Sequence, residues 1–322
     1  MSRRFFWLAF AIVAAIALYT AGWFYAADRL VTEARTALAD FSRGGGNRAV
    51  CEAPEARGYP FRIGLFCDAT YVERGSAGFS MSTEAFRSAA QVYAPRRVVA
   101  EADSPARLIL PGLVPLDLTW QGMRASARLA WPLPERISLE GTRLTAVADM
   151  PNVVGPLAFT AELLELHVRP NEPDVDIALR LDGFEAGRLL LPNGTLPPLS
   201  AVADVSLKDG VALLREKRGG MRGVSFDVRQ FELVSPDGAR LTATGTVAIG
   251  EDGLVNARLT VGTTDAAALA GIVASAFPEA GDGLRPAISA LSALGPNPQL
   301  PLKITNGQAR MGFINLGAIP PL

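Results

Sequence analysis

The segment "DVDIALRLDGF", residues 174–184, puts Val175, Ile177, Leu179 and Leu181 on one side of an extended chain and Asp174, Asp176, Arg180 and Asp182 on the other. Successive strand side chains point to opposite faces, so aliphatic residues in phase at a period of two dictate a strand that is buried on one side and wet on the other. Leu116, Leu118 and Trp120 alternate in the same way with Asp117, Thr119 and Gln121, and Ala125, Ala127, Leu129 and Trp131 alternate with Arg124, Ser126 and Arg128. "VSFDVRQ", "ARLTATGTVAI" and "LVNARLTV" repeat the scheme, separated by turn chemistry in "SPDG" and "EDG". The expected fold is mainly β: an antiparallel, strongly curved sheet, half-barrel or sandwich with a few short helices. Those helices are expected at residues 83–92, at 265–277 with Asp265 as N-cap, and at 284–294.

Residues 5–27, "FFWLAFAIVAAIALYTAGWFYAA", carry no charge. As a helix rising about 1.5 Å per residue they are long enough to cross a bilayer. Arg3 and Arg4 precede the run with no acidic neighbour, while Asp28, Arg29, Glu33 and Arg35 follow in mixed sign. The positive-inside bias therefore leaves residues 1–4 in the cytoplasm, and the expectation is a single-pass inner-membrane protein with the bulk of the chain in the periplasm. Trp7 at one end and Trp23, Phe24 and Tyr25 at the other have the placement of interfacial aromatic belts. A cleaved signal peptide is the competing reading, but bulky residues 23–25 stand where cleavage requires small ones. Both readings export residues 30–322.

Beyond the run, Ala27, Leu30, Val31, Ala34, Leu38 and Phe41 recur at helical spacing, which extends the helix as an amphipathic stalk over residues 28–43. The glycines of "RGGGNR" end it and form a linker over 44–48, leaving a β-rich domain at 49–322. No Lys-Ser/Thr follows these glycines, as a phosphate loop would require.

Cys51 and Cys67 are the chain's two cysteines. Their interval is too wide for a Cys-x-x-Cys redox centre, and His167, the sole histidine, is too far along the chain to complete a metal set. In an oxidising compartment the pair reads as a structural disulfide. Between them Phe61, Ile63 and Leu65 alternate with Arg62, Gly64 and Phe66 as a first strand.

"GYPFRIGLFCD", "VPLDLTWQGMRASARLAWPLPERISLE" and "ITNGQARMGFINLGAIPPL" together resemble the domain-of-unknown-function family numbered 2125, membrane-anchored envelope proteins of Gram-negative bacteria. "LTATGTVAIGEDGLVNARLTV" is similar to repeats in AsmA-like envelope proteins. That likeness implies a long β-structure with an apolar trough for lipid. Neither family supplies catalytic residues to carry over.

Charge and motifs narrow the function further. Lys and Arg number 31 against 32 Asp and Glu, so no global field draws nucleic acid, and Arg96 and Arg97 read as a solvated surface pair. His167 falls with Glu165 and Arg169 opposite Leu164, Leu166 and Val168, a solvated strand position without a catalytic partner in sequence. Asp174, Asp176 and Asp182 share a face but form no tight ligand loop for a hard cation. The expectation is a non-enzyme without metal or cofactor. Two functions follow: binding or shuttling of phospholipid or other acyl chains on an apolar face that includes Leu118, Trp120, Leu129, Ile177, Leu179, Val247 and Leu259, or a scaffold that binds another envelope protein through a sheet edge.

Overall fold

The computed structural model describes residues 3–149, 157–187, 194–216, 220–276, 298–312 and 314–322. They are mostly antiparallel β-structure, preceded by one long helix, α1 (Arg3–Ser42). Where the sequence reading places one domain over 49–322, the chain divides into two compact units: residues 1–115 with 124–126, and the remainder.

In the first unit, α1 leads into β1 (Asn47–Cys51), β2 (Glu55–Arg57), β3 (Arg62–Cys67), β4 (Thr70–Arg74), β5 (Phe79–Thr83), β6 (Phe86–Gln91), β7 (Ala94–Ala102) and β8 (Ala106–Ile109). β1 pairs with β4 and β2 with β3; β4 pairs with β5 and β3 with β6; β5 pairs with β8 and β6 with β7. These are four long strands in a meander, each interrupted at the same level. Glu52 and Asp68 bridge the first interruption, through Glu52 N–H to Ala69 O and Asp68 N–H to Glu52 O, both 2.9 Å, and Asp103 N–H to Ala85 O continues the line at 2.8 Å. The glycine turn is shorter than the linker read from sequence, because Asn47 and Arg48 already pair with Arg74 and Glu73. Within residues 83–92, expected as helix, Thr83 ends β5 and Phe86–Gln91 form β6. The Ala- and Ser-rich run has no apolar helical stripe, and pairing on both sides with β3 and β7 overrides its local propensity.

The cysteines sit at that interruption. Cys51 ends β1 and Cys67 ends β3; their sulfurs are at disulfide distance and their Cα atoms 5.2 Å apart. The link joins the first two long strands where the ladder itself is broken. Closing a loop of about 15 residues stabilises by about 3 kcal/mol in the loop-entropy model. Cys67→Ser is accordingly expected to lower the unfolding free energy of the first unit by that order, read from chemical denaturation; an unchanged midpoint contradicts a structural role.

The apolar stripe of α1 faces this sheet. Trp23 and Ala27 are buried, Leu30, Val31, Ala34, Leu38 and Phe41 half-buried, and the contacts are with β1, β2 and β3. Ser42 Oγ accepts from Ala49 N–H at 2.9 Å, which fixes the helix end beside β1. The stalk is thus docked along the sheet over residues 23–42. Before it, Phe5, Trp7, Phe10, Val13 and Leu18 are exposed on a helix long and apolar enough to cross a membrane.

The second unit comprises β9 (Leu116–Thr119), β10 (Gly122–Arg128), less residues 124–126, β11 (Arg136–Ala148), β12 (Leu157–Asn171), β13 (Asp174–Ala186), β14 (Leu199–Leu207), α2 (Gly210–Arg215), β15 (Ser225–Val234), β16 (Arg240–Ile249), β17 (Val255–Thr263), α3 (Ala266–Ala276), β18 (Gln299–Thr305), β19 (Gln308–Met311) and β20 (Ile314–Ala318). From β11 to β20 each strand pairs with the next in sequence, and β9 pairs with β11 on its other edge. Among the described residues β9 and β20 do not pair, so the ladder is not closed into a barrel. Asp265 Oδ1 accepts from Ala268 N–H at 2.9 Å, the N-cap read from sequence; the helix expected at 284–294 lies outside the described residues. α2 had no clear signal, being six residues long.

Candidate functional site

Register sorts the second unit into an aliphatic side and a charged side. One row across β13 to β19 runs Val175, Leu207, Phe226, Val247, Ala257, Ile304, Ala309; the next runs Ile177, Val205, Val228, Gly245, Leu259, Leu302, Met311. A third joins Leu166, Leu179, Ala203, Phe231, Ala243, Val261 and Leu300. Side chains in phase across a ladder share a face. Ile177, Leu179, Val247 and Leu259, four of the residues expected in a groove, therefore lie together.

Val175, Ile249, Val255, Ala257, Ile304 and Ala309 are buried, and Ile319 packs on the cluster at the β16–β19 end. Ile177, Leu179 and Leu259 in the neighbouring rows are half-buried, and Ile137 at the β11 margin is 44% exposed. Of the other three groove candidates, Leu118 keeps to this face by register, through Ala146, Phe159 and Ala186, the last in phase with Phe184 opposite Leu199. Leu118 pairs opposite Ala146, which is fully buried, and Trp120 is itself buried. Leu129 is 44% exposed and Trp131 94%. Both follow the end of β10 at Arg128, so the alternation that predicted them inward stops one residue too soon.

The opposite face is polar. Asp176, Ser206, Asp227, Thr246, Arg258 and Lys303 form its register row. Two concavities open there: one of about 380 Å³ includes Lys208, Asp227, Thr246, Arg258 and Lys303, and one of about 290 Å³ includes Arg136, His167, Arg169, Asp176, Asp204 and Arg229. Of the groove candidates only Val247 borders either of them.

Asp176 organises the second concavity. It is 5% exposed and accepts from Arg169 Nε at 3.2 Å and Nη2 at 3.1 Å, Asn171 Nδ2 at 3.2 Å, Ser206 Oγ at 3.2 Å and Arg229 Nη1 at 2.6 Å. Burial pushes its pKa up, but the hydrogen bonds from Arg229 and Arg169 outweigh that and hold it below the ordinary 3.8. Arg229 also donates to Asp204, and these two partners raise its own pKa. Asp174 turns to Lys208, 2.9 Å away, whose ammonium lowers the Asp174 pKa; Asp227 lies 2.7 Å from the same Nζ. Asp182 pairs with Arg180 at 2.8 Å. The three aspartates that could have shared a cation are each committed to a protein cation instead. Among the described residues no group of three His, Cys, Asp or Glu is arranged to hold a metal.

His167 lies on this face, exposed, its Nδ1 2.8 Å from Ser138 Oγ. Sequence placed the histidine and Arg169 together on this face. Arg229 was missed, because it sits at the irregularity between Val228 and Phe231 that no local pattern marks.

A long apolar helix docked on one β-unit, followed by a one-sided β-ladder, defines a membrane-anchorable β-protein. The chain belongs to the family described as "uncharacterized protein conserved in bacteria", DUF2125, whose model matches residues 23–320. No curated protein and no solved structure matches it, and the likeness to AsmA-like proteins read from the stretch at 241–261 is not confirmed.

Proposed function

We propose that this is a single-pass inner-membrane protein with a cytoplasmic N-terminus, whose second unit holds acyl chains of a phospholipid or related envelope lipid on its aliphatic face without turning the lipid over. The observation that carries the reading is the three aliphatic rows, continuous from β13 to β18 and half-buried at Ile177, Leu179 and Leu259. Apolar surface of that extent is stabilised by an apolar ligand, at about 0.8 kcal/mol per buried CH₂. The charges flanking α1 and the disulfide-distance cysteine pair support an exported bulk.

A photo-reactive benzophenone amino acid placed at Leu179 or Leu259 in the full chain, irradiated in cells, is expected to yield lipid adducts by mass spectrometry, whereas Arg180 on the opposite face yields none. Protein adducts at Leu179 in place of lipid would favour the scaffold reading. So would adducts confined to β20, which pairs with β19 alone among the described residues.

A further inference from the structure

Within the first unit, two turns lie at the same end of the meander: the β2–β3 turn at 59–61 and the β6–β7 turn at 92–93, tied by Val92 N–H to Phe61 O at 3.0 Å. Their apolar side chains point into solvent. Phe61 is 70% exposed, Tyr93 76%, Tyr59 46% and Val92 38%. An isolated exposed phenylalanine is ordinary; four such residues on two adjoining turns form a patch that wants a partner.

The partner is indicated by where the patch meets α1. Trp23 Nε1 donates to Arg62 O at 2.9 Å, Tyr19 OH donates to Pro60 O, and Thr20 Oγ1 lies 2.8 Å from Tyr59 OH. Trp23 and Phe24 both stack or edge against Tyr59, with ring centroids 5.4 and 6.0 Å apart. Tyr19, Thr20 and Trp23 belong to the uncharged run that begins at Phe5. Counted from Phe5 they stand about 21–27 Å along the helix, less than the roughly 30 Å of a bilayer's hydrocarbon core. A helix that spans therefore carries the turns down to the depth of the outer leaflet.

The hydrogen bonding fits that depth. Backbone outside a helix is tolerated there only when protein satisfies its polar groups, and the carbonyls of Pro60, Phe61 and Arg62 are each taken by a donor from α1 or β6–β7. The same bonds quench the Tyr19 hydroxyl and Trp23 indole of the span. Around the patch, Arg62, Arg96 and Arg97 are exposed, and no carboxylate pairs with them among the described residues. Cations rimming an apolar tip match a surface of anionic headgroups over acyl chains.

We propose that the 59–61 and 92–93 turns form a wedge that enters the outer leaflet of the bilayer α1 crosses, with Arg62, Arg96 and Arg97 at the level of anionic phospholipid headgroups. The wedge rests on the spanning reading of α1 and is independent of lipid binding by the second unit. It gives the first unit two points of attachment, so the sheet is held at a set tilt to the membrane instead of swinging on a stalk.

The test uses the full chain in nanodiscs of mixed phosphatidylethanolamine and phosphatidylglycerol. Single cysteines replace Phe61, Tyr93, Leu18 within the span, or Leu113 beyond β8 at the other end of the meander, and carry a polarity-sensitive fluorophore. Spin-labelled lipids are expected to quench the probe at 61, 93 and 18 and to leave 113 bright. Quenching at 18 with 61 and 93 as bright as 113 overturns the wedge while sparing the span. A bright probe at 18 overturns both. The replaced side chains at 61, 93 and 113 are exposed, so folding is checked simply by the retained far-ultraviolet spectrum.

Discussion

Gly64→Ala is expected to destabilise the first unit by on the order of 3 kcal/mol or more, the upper range for overpacking. A Cβ added at Gly64 would lie 1.7 Å from Ser88 O and 2.8 Å from Ala89 Cα. Both are backbone of the neighbouring strand β6, so no side chain can swing away. Relief requires β3 and β6 to part, and with them the two hydrogen bonds by which Ser88 Oγ holds Leu65 at 2.9 and 3.1 Å. Cys67 lies three residues further along the same strand, so oxidation to the Cys51–Cys67 pair should fall with the fold. Gly112→Ala is the control. Its φ of +75° also disfavours a side chain, but nothing lies within 4 Å of the added carbon, and the cost should stay at about 1–2 kcal/mol. Equal midpoints for the two variants in chemical denaturation would remove the close approach at Gly64 as an explanation.

Asp176→Asn is the second large effect, expected to cost about 2 kcal/mol at neutral pH because it withdraws a charged acceptor from Arg169 and Arg229. The figure is kept low since those arginines are 56% and 40% exposed and water recovers part of their solvation. The pH dependence has a definite sign. The folded pKa of Asp176 lies below 3.8, so its contribution is complete above the unfolded value and disappears as pH falls through the folded one. Thermal unfolding of the native chain should therefore weaken below about pH 4, and the variant should show a flatter acid limb. A variant that converges with the native protein at neutral pH and diverges only in acid would mean the network holds nothing when ionised.

Sequence alone was sufficient wherever one local period carried the information. The aliphatic rows of β13 to β18 were legible because each strand is buried on a single side, and the α1 stripe from Ala27 to Phe41 because one helical face meets a sheet. Asp265 was legible because capping is a contact over three residues. What tertiary structure alone decided depends on register between distant segments. Phe86–Gln91 became strand because β3 and β7 flank them, not through any pattern of their own. The alternation on β11 to β13 changes phase near Arg143 and Gly183, both at positive φ, since a left-handed residue breaks the two-residue period. The pairing of Asp174 with Lys208 and of Asp176 with Arg229, and the turns that Trp23 and Tyr19 hold, are contacts across 34 and 53 residues in the first case and 39 and 41 in the second. Local propensity carries no record of such pairs; they exist only once the ladder has set which residues face each other.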